Sequence, residues 1–247
     1  WIMKFNSRKP DVKGLGSMKL LKANLTYVTP VIPPQIESIK YGALYNWPAA
    51  TDERNICAAG WHIPTSAEIT TLLTYIGGDA IAGGKLKEAG VTYWDNPNSG
   101  AGNDFGFNGR GAGSRSVSGG LGVFADIRKS LYIWTSDEND VDTAYVTLLG
   151  FYLDGAAVSP TTDYKYIGYS LRPFKDSTTL THGQTSQMVG NDGKIYRTIC
   201  IGTQEIVADN LAETKYRDGS DIPLVTDNSA WAVLTTAGCC AYDNDEN

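Results

Sequence analysis

Two histidines and four cysteines are the side chains of this 247-residue chain that could support nucleophilic or acid–base catalysis. A nucleophile needs a base within hydrogen-bonding reach, and only His62 or His182 could act as that base. His62 lies in Gly60-Trp-His-Ile-Pro-Thr65, where we expect a structural histidine, and His182 lies in a stretch rich in Ser, Thr and Gly. We therefore expect no catalytic site and predict that the chain is not an enzyme.

The four cysteines are Cys57, Cys200, Cys239 and Cys240. They lack the spacing of a zinc site, and neighbours such as Cys239 and Cys240 can form only a strained disulfide. We expect small buried or free thiols. A bridge from Cys57 to Cys239 or Cys240 is the alternative.

A cluster of four acidic residues could in principle bind Ca²⁺ through oxygen atoms. The cluster consists of Asp137, Glu138, Asp140 and Asp142. It lacks the regular alternation and the glycine of a dedicated calcium loop, so we predict a solvated turn and no cofactor, with Ca²⁺ as the alternative.

Aromatic residues gather among Asp, Asn, Thr and Gly between positions 132 and 166. Tyrosine beside small polar residues offers a large rigid contact area together with adaptable hydrogen bonding, which is typical of recognition surfaces. The alternative is that part of these aromatic residues is core, as we expect for Trp134. The predicted binding residues are Tyr132, Asp137, Asn139, Tyr145, Thr147, Phe151, Tyr152, Asp154, Tyr164 and Tyr166, with Tyr145, Tyr152, Asp154, Tyr164 and Tyr166 leading.

Charge and hydropathy exclude several kinds of partner. Lys and Arg number 21 and Asp and Glu 27, so the net charge is 21 − 27 = −6. An acidic chain without a basic stripe is a poor candidate for binding nucleic acid. No apolar run approaches the roughly 20 residues that span a bilayer, so we expect no membrane insertion.

Local patterns indicate which elements position these residues. Thr65-Ser-Ala-Glu68 is a capping box, and Ile69, Leu72, Leu73 and Ile76 follow at helical spacing before Gly77-Gly78. A second, shorter helix is predicted at about 228–236. Tyr145–Leu149, Phe151–Leu153 and Tyr169–Phe174 are typical of strands, and Gly-rich loops are expected at 83–84 and 109–122. The chain is predicted to be α+β, with two short helices and small antiparallel sheets.

Residues 1–38 differ in amino-acid composition from the rest of the chain. They are basic early and end in a proline-rich stretch with Pro30, Pro33 and Pro34. Such a stretch favours extended backbone, which suits an N-terminal arm or linker for assembly or attachment better than a core. A disordered leader is the alternative.

Five strings at matching distances carry a family resemblance. They are Tyr41-Gly-Ala-Leu-Tyr-Asn-Trp47, Gly60-Trp-His-Ile-Pro-Thr65, Gly83-Gly-Lys-Leu-Lys-Glu88, Trp134-Thr-Ser-Asp-Glu138 and Gly168-Tyr-Ser-Leu-Arg-Pro173. Together they resemble the Fibrobacter succinogenes major paralogous domain family, which implies a C-type-lectin-like fold. The related formylglycine-generating enzymes rely on a reactive cysteine pair, and no local pattern here matches it.

The order of the family's halves is reversed in this chain. Residues 192–247, which begin with Asp192-Gly-Lys-Ile-Tyr-Arg, resemble the family's opening half but follow residues 39–175. The simplest account is a circular permutation within one domain, 39–247, whose halves are joined by a linker at 176–191. A second, truncated copy and an exchange of halves between subunits are the alternatives.

The resemblance also implies a function. Some phage and bacterial proteins of this fold are diversified by retroelements that mutate adenines, and their variable codons cannot give Trp, Met, Gln, Glu or Lys. Between positions 139 and 169 only Lys165 breaks that restriction. A plain strand face that is poor in long polar residues would look the same.

We expect a non-enzymatic attachment protein of a phage particle, a homotrimer in a tail fibre, that binds a host cell-surface protein or glycan. The sequence Trp1-Ile-Met-Lys lacks the features of a secretory signal, which favours the virion over export. The alternative is a secreted module on a bacterial cell surface that binds polysaccharide or protein.

Overall fold

Short helices and antiparallel strands make up the part of the chain that the structure describes. The computed structural model describes residues 40–149 and 158–245, which belong to one contact unit, Ile36–Asn247. The predicted arm, 1–38, lies outside the described residues. None of the helices in the described ranges has the length and apolar composition needed to cross a bilayer.

The helices are α1 (Trp47–Ala50), α2 (Ser66–Ile76), α3 (Asp79–Leu86) and α4 (Asn228–Ala232), with a 3₁₀ turn at Tyr242–Asn244. The strands are β1 (Leu44–Tyr45), β2 (Trp61–His62), β3 (Ala112–Ser118), β4 (Leu121–Ile127), β5 (Leu131–Glu138), β6 (Thr143–Leu149), β7 (Val158–Tyr164), β8 (Phe174–Lys175), β9 (Thr185–Val189), β10 (Ile195–Ile201), β11 (Gln204–Val207) and β12 (Cys239–Cys240). The mixture confirms the α+β class.

The capping box predicted for α2 is present. The Thr65 hydroxyl accepts from the Glu68 amide at 3.2 Å, and the Glu68 carboxylate accepts from the Thr65 amide at 2.8 Å. Gly77, with φ of 115°, ends the helix. The predicted apolar face, Ile69, Leu72, Leu73 and Ile76, is buried.

The expectation of two short helices is wrong, because four α-helices occur among the described residues. The predicted Gly83-Gly84 loop lies inside α3, where both glycines are buried. The predicted loop at 109–122 contains β3 and the start of β4. A side chain at Gly109 would lie 2.9 Å from the Leu86 carbonyl oxygen, so the small residue there serves close backbone packing rather than a turn.

Two five-stranded sheets and one two-stranded sheet hold the described residues together. The first sheet has the order β4-β3-β5-β6-β7, antiparallel except for the single β3–β5 bridge, Gly113 with Leu131. The second has the order β2-β8-β11-β10-β9 and is antiparallel throughout. The β1–β12 pair forms the small third sheet.

Strands from the C-terminal part complete sheets begun by the N-terminal part. Ile206 of β11 pairs with Phe174 of β8, and Cys239 and Cys240 of β12 pair with Tyr45 and Leu44 of β1. The sequence predicts that residues 192–202 pair with strands from 39–175. In the structure β10 pairs only with β9 and β11 among the described strands, and β11 makes the connection to β8. The segment expected to be a linker, 176–191, includes β9. This strand forms one edge of the second sheet, so the segment is more than a connection.

Candidate functional site

The predicted binding residues that the structure describes lie on or beside β5, β6 and β7. The register of β6 and β7 places Tyr145 opposite Thr162 and Thr143 opposite Tyr164. Directly opposed residues of an antiparallel pair share one face, and diagonal neighbours on that face are about 7 Å apart. Tyr145 and Tyr164 are therefore diagonal neighbours on one side of the sheet.

Tyrosine side chains are exposed on this side. Tyr145 is 38% exposed and Tyr164 is 51% exposed. The ring of Tyr166, which is partly buried against the apolar cluster that contains Trp134, stacks on that of Tyr164, with centroids 5.3 Å apart and planes 11° apart. We call Tyr145, Thr162, Tyr164 and Tyr166 the tyrosine surface.

The opposite side of the same strands is packed. Ala144, Val146 and Trp134 are buried in one apolar cluster, which confirms the expectation that Trp134 is core. The Trp134 indole also donates to the Tyr45 carbonyl at 3.0 Å. The tyrosine surface is thus carried on strands whose other face is fixed by core contacts.

Three of the predicted binding residues make internal contacts instead. The ring of Tyr132 is stacked on that of Tyr169, with centroids 4.5 Å apart. The Asp137 carboxylate accepts from the Ser66 amide at 2.5 Å, at the first turn of α2. Thr147 is buried, 3% exposed. The β-bulge between Trp134 and Glu138 is where β5 departs from the register of β6, and Asp137 lies within it.

Asn139 lies in the turn between β5 and β6, and its side chain is exposed. Its amide group donates to the Asp140 carboxylate at 3.0 Å and to the Thr143 hydroxyl at 2.9 Å. The remaining predicted residues, Phe151, Tyr152 and Asp154, lie outside the described residues.

Lys165 holds this turn. Its ammonium donates to the carbonyls of Asp140 and Val141 at 2.7 and 2.8 Å and forms an ion pair with Glu138. The same group lies 4.8 Å from the ring centroid of Trp47. Lys165, the one residue between positions 139 and 169 that breaks the codon restriction, therefore has a structural role in this turn.

The acidic cluster uses its oxygens internally. Glu138 pairs with Lys165, and the Asp140 carboxylate accepts from the amides of Asp142 and Thr143 at 2.9 and 2.8 Å. These bonds hold the pKa of Asp140 below its ordinary value. Within 40–149 and 158–245, no three His, Cys, Asp or Glu side chains are grouped so that they could hold a metal ion.

Both ring nitrogens of His62 face carboxylates. Nδ1 lies 2.7 Å from Asp176 Oδ1, and Nε2 lies 2.9 Å from Glu68 Oε1. Partial burial disfavours the charged ring, but these hydrogen bonds outweigh it and raise the pKa of His62. Both ring nitrogens are thus engaged by carboxylates. His62 joins β2, α2 and the end of β8.

All four cysteines lie in the described residues as buried free thiols, so the alternative of a Cys57 bridge is not found. Burial raises the pKa of the Cys57, Cys200 and Cys240 thiols, that of Cys240 to about 11. Because the thiolate is the nucleophile, such thiols are poor nucleophiles near neutral pH.

Thr162 is not among the predicted binding residues. The contacts of Asp163 and Trp47 are also not predicted from the sequence. Asp163 accepts from the Tyr169 hydroxyl at 2.6 Å, on the face opposite to Tyr164. Alternation within Thr161-Thr-Asp-Tyr164 could have separated the two faces, but only the pairing with β6 shows which one is exposed.

The sequence matches the profile of a known protein family. No curated protein and no solved structure matches the chain. The profile of the Fibrobacter succinogenes major domain matches residues 17–175, starting within the predicted arm and ending where the predicted linker begins. This range covers more than half of the chain and carries all five strings described above. The chain therefore belongs to the Fibrobacter succinogenes major domain family.

Proposed function

We propose that the chain is a non-enzymatic recognition protein, an attachment protein of a phage particle, and that the tyrosine surface contacts a host cell-surface protein or glycan. The observation that carries the proposal is the exposure of Tyr145 and Tyr164 as diagonal neighbours on strands fixed by a packed core. Rigid aromatic rings beside hydroxyl groups lose little conformational entropy when they bind a partner.

The chemistry of the other candidate groups supports recognition over catalysis. His62 is engaged at both nitrogens, and burial raises the pKa of three thiols. The exposed tyrosines, in contrast, lie together on one face. A homotrimer would bring three tyrosine surfaces to one target, and avidity would then strengthen weak single contacts.

The proposal includes a C-type-lectin-like fold with permuted halves. Its support is the antiparallel pairing of β1 with β12, because joining residue 245 to residue 40 would connect this pair through a loop made of residues 241–245 and 40–43. The pairing of β11 with β8 is also consistent with one domain formed from both halves. The alternative function remains a secreted bacterial surface module for polysaccharide or protein.

The test compares two tyrosines of equal exposure on different parts of the surface. Tyr164 is 51% exposed on the tyrosine surface, and Tyr75 is 50% exposed on α2. The full chain, Tyr164→Ala and Tyr75→Ala are each applied to a printed array of bacterial surface polysaccharides and to whole bacterial cells with and without protease treatment. We expect Tyr164→Ala to lose at least tenfold in binding and Tyr75→Ala to bind like the native chain.

The polysaccharide array and the protease treatment together identify the class of target. Loss of cell binding after protease treatment indicates a protein, and binding to the array indicates a glycan. Equal loss in both variants, or native binding by Tyr164→Ala, would reject the tyrosine surface as the contact site.

A further inference from the structure

Two buried carboxyl groups meet where the β9–β10 hairpin contacts the segment after β11. Glu213 is 1% exposed and Asp192 lies in the hairpin turn. Glu213 Oε1 accepts from the backbone amide of Asp192 itself, so two like charges would lie close together if both carboxyl groups were ionised. We call Asp192 and Glu213 the carboxyl pair.

Each member of the pair bonds the backbone of the other's segment. The Glu213 carboxyl accepts from the amides of Asn191 and Asp192, both at 2.8 Å. The Asp192 carboxylate accepts from the Thr214 amide at 3.1 Å and from its hydroxyl at 2.9 Å. The two segments are thus joined by reciprocal hydrogen bonds.

Gly190 and Asn191 complete this contact. A side chain at Gly190 would lie 2.1 Å from Glu213 Oε2, so a glycine is needed for the carboxyl group to approach the turn. The Asn191 side chain donates to the carbonyls of Ile56 and Lys215 at 2.9 and 3.2 Å. Through the Asn191 side chain, the β9–β10 turn is therefore hydrogen-bonded to the loops that contain Ile56 and Lys215.

We propose that the carboxyl pair is a proton-dependent contact that holds the β9–β10 hairpin turn to residues 213–214 and tightens on mild acidification. The proposal is independent of the proposed function, because it concerns the edge of the second sheet and not the tyrosine surface. β9 is an edge strand of that sheet, so loss of the contact would loosen an edge and leave the interior of the sheet paired.

Further titratable and charged groups lie around the carboxyl pair. The titratable and charged groups that face the pair are Tyr45 of β1, Cys57, Tyr196 of β10, Lys194 and Lys215. Burial raises the pKa of Tyr45, Cys57 and Tyr196, so these three stay neutral. Lys194 pairs with Asp192, and Lys215 pairs with Asp221 at 2.6 Å.

The direction of the pH dependence follows from these contacts. Burial and the neighbouring Asp192 raise the pKa of Glu213 from 4.5 to about 8. Burial opposes ionisation of Asp192, but its hydrogen bonds outweigh that effect and lower its pKa below 3.8. The state in which the β9–β10 turn contacts residues 213–214 (closed) therefore holds one proton more than the state in which this contact is broken (open), between about pH 4.5 and 8. Opening becomes about tenfold more favourable per pH unit across that range and levels off above it.

Amide hydrogen exchange of the full chain tests this, since the amides of Asn191 and Asp192 donate directly to Glu213. Exchange is measured by NMR from pH 5 to 9 and corrected for the intrinsic rate. We expect the protection of these two amides to fall about tenfold per pH unit up to pH 8, relative to amides of α2. In Glu213→Gln, which retains a hydrogen-bonding group but cannot ionise, this slope should vanish.

Glu205→Gln is the matched control, because Glu205 is equally buried in β11 but pairs with Lys175 at 2.9 Å. It should keep the native slope. An equal slope in Glu213→Gln, or no slope in the native chain, would overturn the proposal. Should Glu213→Gln fail to fold, ¹³C titration of the Glu213 carboxyl in the native chain decides: a midpoint near 8 supports the contact, and one near 4.5 rejects it.

Discussion

The ammonium of Lys165 lies over the indole of Trp47, 4.8 Å from its ring centroid, while it donates to two carbonyls of the β5–β6 turn. The side chain is 15% exposed. Lys165 therefore connects α1 to the turn that borders the tyrosine surface. Its neighbours in sequence, Tyr164 and Tyr166, are members of that surface.

Lys165→Ala is expected to lower the free energy of unfolding by about 1–2 kcal/mol, because a cation–π contact and hydrogen bonds from a charged donor are lost. Denaturant unfolding measures the change. Lys129→Ala, at an exposed lysine, is the control and should shift stability by less than about 0.5 kcal/mol. Equal effects of the two substitutions would show that Lys165 does not stabilise the turn.

Replacing Tyr132 is expected to destabilise the protein more than replacing Tyr164, although both are predicted binding residues. Tyr132 is half-buried and stacked on Tyr169, so Tyr132→Ala should cost about 2 kcal/mol, somewhat less than removal of a fully buried ring. Tyr164→Ala removes an exposed ring and should cost less than about 1 kcal/mol. Thermal and denaturant unfolding of both variants provide the measurement. A cost for Tyr164→Ala that matches Tyr132→Ala would assign Tyr164 to the core.

His62 makes stability depend on pH through its two carboxylate partners. Its folded pKa is raised above the ordinary value, so its contribution is complete below about pH 6.5 and is lost as the pH rises through the folded pKa. Glu68, whose pKa is lowered by hydrogen bonds in spite of burial, contributes in the opposite direction, and its contribution is lost as the pH falls.

NMR titration of the imidazole protons tests the His62 contact. The His62 midpoint should lie above 6.5, and Asp176→Asn should move it to lower pH because one charged acceptor is removed. His182→Gln assigns the two imidazole signals. A midpoint that does not change in Asp176→Asn would show that the Nδ1 contact does not set the pKa.

Local patterns predicted α2 because a capping box and a helical repeat are complete within 12 residues. The exposed face of β7 was not predictable in the same way, since it depends on the register with β6. Thr162 joins the tyrosine surface only through its pairing with Tyr145. The loop predicted at Gly83 and Gly84 is wrong because glycine also occurs where backbones pack closely. The contact between Asp192 and Glu213 joins loops that no local pattern connects.

The proposed permutation predicts that the chain can be rearranged and still fold. Cys239 and Cys240 of β12 pair with Tyr45 and Leu44 of β1, so the chain on either side of a new 245-to-40 junction is already antiparallel and adjacent. A protein with the order 180–245, a short Gly-Ser linker and 40–179 should therefore fold. Its new ends lie between Thr179 and Leu180, in a stretch between β8 and β9.

Denaturant unfolding and the dispersion of NMR amide signals compare this rearranged protein with residues 40–245 in the native order. Both should unfold cooperatively, and their free energies of unfolding should agree within about 2 kcal/mol, because the strand pairings are the same and only loop closure changes. A folded native-order control with an unfolded rearranged protein would refute the permutation. It would instead favour a C-terminal segment whose pairing with β1 and β8 depends on the existing connection.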